Sequence, residues 1–138
     1  VLGVDTGRDQ FDAGLAEDVR MVVRESTNVK DLTVPEVEAV IGGRPEVVVI
    51  DVSFVGLSHI FPTVASLVVA GTPVVALVKP QFEVGWEHLS RAGIVRDPAV
   101  RAKALDKAKD AAKGATAKAE AKSAPLDEGV SGPTGAPA

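Results

Sequence analysis

Two charged side chains stand at the ends of apolar, β-branched runs, and their types and spacing suit them for chemistry. Asp51 follows the run that begins at Val47, and Lys79 ends a second run that begins at Pro73. Such short runs are typical of strands buried in a parallel sheet, and open α/β sheets carry their sites beyond the carboxyl ends of their strands. A lysine there can accept a proton when its charged form is disfavoured, and a carboxylate can orient it. Either charge alone could equally be a solvated strand end, but the two together favour a site at one rim of the sheet.

Two further polar positions follow apolar runs nearer the start of the chain. Asp5 ends the run from Val1, and the run from Arg20 closes on the block from Glu25 to Asn28. In a nucleotide-binding α/β fold, an acid at such a strand end can accept hydrogen bonds from a ribose diol. A plain turn acid at Asp5 and turn chemistry at Asn28 are the alternatives.

The elements that position these residues alternate between strand and helix. A helix is predicted to open at Thr33, its N-cap, and to stop at Gly42. Apolar residues at i, i+3, i+4 and i+7 predict another helix from Leu57 to Ala70. The resulting order β-α-β-α-β-α-β predicts the α/β class, with a mostly parallel sheet.

The amino-acid composition of the chain changes after Asp97-Pro98, a pair that is typical of the start of a helix. Residues 99–122 hold ten alanines and seven basic residues, with few larger apolar side chains. This composition predicts a helix that is solvated beyond its first two turns. Residues 123–138 are rich in Gly, Pro, Ser and Ala and are predicted to be a disordered tail.

Composition excludes several classes of function. The chain has 138 residues and a net charge of −4, which does not favour nucleic-acid binding through its overall field. It has no cysteine and two histidines, so we expect no metal site. It has no apolar run of membrane-spanning length and no signal peptide. It begins with Val rather than Met, as a fragment of a longer protein would.

Several blocks, in order along the chain, resemble one known family. They are Asp51-Val-Ser-Phe, Leu-Val-Lys79-Pro-Gln-Phe-Glu83 and Gly93-Ile-Val-Arg-Asp-Pro98. Together they are similar to the TlyA family of S-adenosylmethionine-dependent RNA 2′-O-methyltransferases, whose older names include "haemolysin" and whose catalytic domain is FtsJ-like. The resemblance covers roughly residues 1–105, and the Lys-Pro-Gln-Phe-Glu block is its most diagnostic part.

The resemblance implies a function and a role for each candidate residue. It implies 2′-O-methylation of cytidine in ribosomal RNA, in the cytoplasm, with S-adenosylmethionine as cofactor and ribosomal RNA or a ribosomal subunit as partner. Asp51 and Lys79 would be catalytic, and Asp5, Asn28 and Asp51 would contact the cofactor. Lys79 and Trp86 would contact RNA, although Trp86 could also simply pin its long loop. No metal and no membrane are implied.

The resemblance also shows what this chain lacks. Residues 1–98 match a partial FtsJ-like domain without its first strand and glycine-rich loop, and without the RNA-binding domain of the S4 type. Two of the four catalytic residues of the family, a Lys and a Glu, have no counterpart here. We therefore keep a catalytically dead RNA- or nucleotide-binding remnant as the alternative. A membrane-active protein is disfavoured, since no bulky amphipathic helix is present.

Overall fold

A computed structural model describes residues 1–123, which form four short strands and five helices. The strands are β1 (Leu2–Val4), β2 (Val22–Arg24), β3 (Val48–Ile50) and β4 (Val74–Ala76). The helices are α1 (Ala13–Ala16), α2 (Val34–Ile41), α3 (Phe61–Leu67), α4 (Pro80–Glu83) and α5 (Pro98–Ser123). All four predicted strands are present, each shorter than its apolar run, and the α/β class is confirmed.

The strands pair in parallel, but they form two separate two-stranded sheets. In the first, β1 pairs with β2 and Leu2 lies opposite Val22; in the second, β3 pairs with β4 and Val48 lies opposite Val74. The parallel pairing that the sequence predicts is therefore confirmed. Within residues 1–123 no strand hydrogen bonds join the two pairs, which differs from the single sheet that the element order implies.

A groove of about 790 Å³ lies between the two strand pairs. Its walls include Leu2 and Val4 of β1 and the whole of β3, with apolar side chains from α2 and α3. The N–H of Val48 donates to Pro73 in the ladder between β3 and β4. Because successive residues of a strand direct their backbone groups to opposite sides, the N–H and C=O of Val49 face the groove. The groove therefore has an unpaired strand edge along its wall.

The first predicted helix is confirmed, and the second is shorter than predicted. Thr33 and Glu36 form a capping box at the start of α2, and Gly42 ends it with a φ of +79°. The predicted helix from Leu57 to Ala70 is divided into a 3-10 turn and α3. Pro62 accounts for the division, because proline lacks an N–H and its ring crowds the carbonyl four residues earlier, so a helix begins there.

Helix α5 is present as predicted and most of its residues are exposed, but one face remains buried beyond its first two turns. Ala104, Ala108 and Ala115 are 0%, 3% and 4% exposed, and the last two join the main core cluster with α3. Small side chains on one face allow close helix packing, which a search for bulky apolar residues overlooks. Of the predicted tail, Ser123 ends α5, and residues 124–138 lie outside the described part of the chain.

Candidate active site

The structure brings Asp51 and Lys79 into direct contact. The Lys79 Nζ lies 2.7 Å from Asp51 Oδ1 and donates a hydrogen bond of 2.8 Å to the hydroxyl of Ser53. An ammonium group has three N–H donors, so these two contacts leave one for a substrate atom. The pair is therefore a charge-assisted contact with remaining capacity to bind.

The strand register explains why the two charges meet. Ile50 lies opposite Ala76 in the parallel ladder, so the chain leaves β3 and β4 at the same edge. Asp51 follows Ile50 directly. Lys79 occupies the N-cap position of α4, after a short extended segment. The Asp51 side chain is 66% exposed and that of Lys79 is 22% exposed. The carboxylate thus faces solvent while the lysine stem is largely covered.

The loop after β3 carries an aromatic residue that the sequence analysis did not single out. Phe54 has a φ of +64°, in the left-handed region that non-glycine residues rarely adopt. Its side chain is 91% exposed, and its ring lies 5.2 Å from that of Phe82. Backbone conformations of this kind are concentrated at functional sites. The sequence signal that could have identified Phe54 is a large apolar residue three positions after Asp51, just beyond the predicted strand.

Asp5 holds the turn that follows its own strand. Its Oδ1 accepts a hydrogen bond of 2.6 Å from the N–H of Gly7, and its carbonyl accepts one of 3.0 Å from Thr27. These contacts are those of a turn acid, the plainer alternative at this position. They also fix a half-buried carboxylate at the end of β1.

Asn28 and Glu25 both bind backbone groups of nearby loops. Asn28 accepts a hydrogen bond from the N–H of Lys30 at 3.0 Å and so caps a 3-10 turn. Glu25 accepts hydrogen bonds from the N–H groups of Gln10, Phe11 and Asp9, and these bonds lower the pKa of its carboxyl. Turn chemistry is thus the observed contact at Asn28, and Glu25 anchors the loop between β1 and α1.

The candidate residues therefore form two groups at the ends of the two strand pairs. Asp5 and Asn28 follow β1 and β2, whereas Asp51 and Lys79 follow β3 and β4. In the part of the chain that the structure describes, no hydrogen bond or ion pair connects the two groups. The groove reaches both strand ends, since Val4 and Asp51 contribute to its lining.

Trp86 lies in a 3-10 turn at Trp86–His88, after α4 in the chain. Its side chain is 84% exposed. A ring so open to solvent does not pin its loop to the core. The alternative of an exposed surface for stacking is compatible with this position.

Residues 1–123 contain two histidines and no cysteine. No cluster of three or more His, Asp or Glu side chains in this range is arranged to hold a metal ion. No helix among these residues combines the length and apolar character needed to cross a bilayer.

Comparison with known proteins relates this chain to methyltransferases. Residues 1–120 match the family described as FtsJ-like methyltransferase. YqxC of Bacillus subtilis, named as an rRNA methyltransferase, is 45% identical over 102 residues, covering 74% of this chain and 35% of its own length. The 16S/23S rRNA (cytidine-2′-O)-methyltransferase TlyA of Mycobacterium tuberculosis is 41% identical over 105 residues, covering 76% of this chain and 38% of its own.

A solved structure supports the same relation. A hemolysin-named protein of Streptococcus thermophilus superposes with a TM-score of 0.75 at 36% identity, over 83% of this chain and 40% of that one. The chain thus spans 35% to 38% of the length of the two curated relatives.

Proposed function

Because the chain belongs to the FtsJ-like methyltransferase family, we propose that it forms part of the catalytic domain of a ribosomal RNA 2′-O-methyltransferase. The substrate is a cytidine of ribosomal RNA, and S-adenosylmethionine is the methyl donor. The name of the TlyA relative, which states 2′-O-methylation of cytidine in rRNA, and that of YqxC, which states rRNA methylation, support the assignment. The reaction takes place on ribosomal RNA or a ribosomal subunit, in the cytoplasm.

The contact between Lys79 and Asp51 is the observation that carries this proposal. A ribose 2′-hydroxyl is a poor nucleophile at neutral pH, so its proton must be removed as the oxygen attacks the methyl group of S-adenosylmethionine. Lys79 is placed to accept that proton on Nζ, and Asp51, 2.7 Å away, stabilises the ammonium group as it forms. Ser53 provides a second acceptor at 2.8 Å and restricts the direction of the amine.

Lys79 must be neutral before it can accept a proton, and a neighbouring cation favours the neutral form. Within residues 1–123 the charged group in contact with Lys79 is the carboxylate of Asp51. By its resemblance to the family, the whole protein would carry a second lysine ahead of residue 1, and that lysine would be the cation that this role requires. The pair is therefore one half of a catalytic set.

The residues at the β1 and β2 ends fit the adenosine part of S-adenosylmethionine. Asp5 presents an acceptor for a ribose diol at a strand end, and a Cβ on Gly7 would lie 2.9 Å from its Oδ1, so the turn packs tightly on the carboxylate. Asn28 uses its oxygen to cap Lys30, which leaves its amide N–H groups to bind an adenine. When bound, the cofactor supplies the electrophilic methyl group.

Exposed aromatic side chains suit RNA that is single-stranded or flipped out. Proteins read such RNA largely by stacking bases on aromatic rings. Phe54 is 91% exposed beside Ser53, and Trp86 is 84% exposed in the following loop. We assign both to contact with the RNA, together with Lys79.

Methyl transfer to ribosomal RNA by the protein produced from its native reading frame tests the proposal. Lys79→Ala and Asp51→Ala should each reduce the rate by about 10²- to 10⁴-fold, the range for loss of a general base, with little change in melting temperature. Lys103→Ala and Asp106→Ala, which remove exposed charges from α5, are the matched controls.

Two results would count against the assignment. Near-normal turnover by Lys79→Ala, with a lowered melting temperature, would make the lysine a structural residue. Absence of methyl transfer by the unaltered protein, with ribosomal RNA still bound, would favour the catalytically dead remnant.

A further inference from the structure

A buried carboxylate that the proposed chemistry does not use lies at the end of α4, the helix that begins after Lys79. Glu83 ends α4, and only 4% of its surface is exposed. Its Oε1 accepts a hydrogen bond of 2.8 Å from the N–H of Leu57, whereas its buried Oε2 has no hydrogen-bond partner within residues 1–123. Burial of a carboxylate with an unsatisfied oxygen costs free energy. Its position therefore calls for a compensating role.

The hydrogen bond of Glu83 joins the two segments that carry the candidate catalytic pair. Asp51 opens the loop after β3, and Leu57, which is 1% exposed, closes it. Lys79 caps α4, and Glu83 ends it. The two segments are thus connected at both ends, by Lys79 and Asp51 at the exposed end and by Glu83 and Leu57 at the buried end.

Packing around Glu83 holds this arrangement from two more sides. A Cβ on Gly56 would lie 3.3 Å from Glu83 Oε2 and 3.2 Å from the carbonyl oxygen of Phe82, so the loop and the turn are in close contact there. The Nζ of Lys107, on α5, donates a hydrogen bond of 2.6 Å to the backbone carbonyl of Glu83. This hydrogen bond connects α5 to the end of α4.

We propose that Glu83 is a positioning residue that sets the distance between Lys79 and Asp51, a role that rests on the proposed function. The Asp51 side chain is 66% exposed, and ion pairs open to water contribute little to holding two segments together. The buried hydrogen bond of Glu83 is shielded from water and fixes the loop. A displacement of about 1 Å at a reacting group can cost about 100-fold in rate.

The test compares two substitutions of Glu83 in the protein produced from its native reading frame. Glu83→Ala removes the acceptor for the Leu57 N–H, so kcat for methyl transfer should fall about 10- to 100-fold while KM values for RNA and cofactor change little. Glu83→Gln keeps a carbonyl acceptor and should retain most of the activity. Glu87→Ala, which removes an exposed carboxylate nearby, is the control.

A third variant perturbs the same contact from the other side, in case Glu83→Ala does not fold. Gly56 has a φ of −77°, which any residue adopts, so Gly56→Ala tests only the available space. Its methyl group should press on the carboxylate of Glu83 and produce the same selective fall in kcat. If kcat in all three variants falls only in proportion to the fall in melting temperature, Glu83 is a structural residue and the proposal is overturned.

A structural measurement separates this proposal from the proposed function. In crystals of Glu83→Ala the distance from Lys79 Nζ to Asp51 Oδ1 should exceed about 4 Å, the limit for an ion pair, and in Glu83→Gln it should be preserved. This result would support the positioning role even if the unaltered protein showed no methyl transfer. An unchanged distance in Glu83→Ala would overturn the role, whatever the activity.

Discussion

Ala104 offers a sharp test of how α5 is held to the domain. It is 0% exposed, on the face of α5 that also carries Ala108 and Ala115. This face packs on α3 and α4. Because the methyl group of Ala104 is fully buried, a larger side chain at this position must displace its neighbours. We therefore expect Ala104→Leu to destabilise the protein.

The size of the effect follows from overpacking of a closed site. Extra methylene groups in a packed core usually cost about 1–3 kcal/mol in the free energy of unfolding. Alanine and leucine differ little in helix propensity, so the helix itself contributes at most a few tenths of a kcal/mol. For a chain of this length the loss corresponds to a fall in melting temperature of roughly 3–15 °C.

Ala102→Leu is the matched control, because Ala102 lies on the exposed side of the same helix. Thermal unfolding followed by circular dichroism, together with urea midpoints, should show a clear loss for Ala104→Leu and almost none for Ala102→Leu. Equal stability of the two variants would refute the packing. It would instead support a helix surrounded by solvent, as the sequence alone suggested.

Two further predictions concern the first sheet and the groove. The carboxyl of Glu25 has a lowered pKa, so its hydrogen bonds stabilise the fold above its usual value of 4.5 and are lost as the pH falls through the lowered pKa. At pH 7, Glu25→Gln should therefore have a lower urea midpoint than the unaltered protein and than the exposed control Glu17→Gln. This difference should shrink below pH 4.5. A difference that stays constant with pH would contradict the assignment to the lowered pKa of Glu25. In the 138-residue chain, the amide of Val49 should exchange with solvent markedly faster than that of Val48, which donates to Pro73. Equal protection of Val48 and Val49 in hydrogen-exchange NMR would mean that the groove edge is paired.

The sequence was most informative where a local pattern decides local structure. The short apolar runs predicted all four strands, and Thr33 with Gly42 predicted both ends of α2. The meeting of Asp51 and Lys79 followed from one physical rule, that parallel strands end at the same edge of a sheet. Each of these inferences needs only neighbours in the chain and the pairing direction.

The failures arose where distant packing decides. Alanine counts as a weak apolar residue, so the buried stripe that includes Ala104 and Ala108 gave no signal until a partner helix was placed against it. Pro62 lay within an otherwise regular apolar pattern, and its missing N–H divided the predicted helix. Glu83 was visible within its motif, but nothing local indicates that an acid flanked by Phe82 and Val84 is buried beneath another loop.

The division into two strand pairs also divides the candidate residues into two groups. Asp51 and Lys79 belong to one pair, so the register of β3 and β4 and the contact of Glu83 with Leu57 fix their separation without any help from β1 or β2. Asp5 lies on the other side of the groove, and its position relative to the lysine depends on how the two pairs are held apart. The chemical pair is therefore defined locally, within one strand pair and its loops. Under the proposed function, the approach of a cofactor to that pair would depend on the groove, because within residues 1–123 no hydrogen bond or ion pair joins the two groups of candidate residues across it.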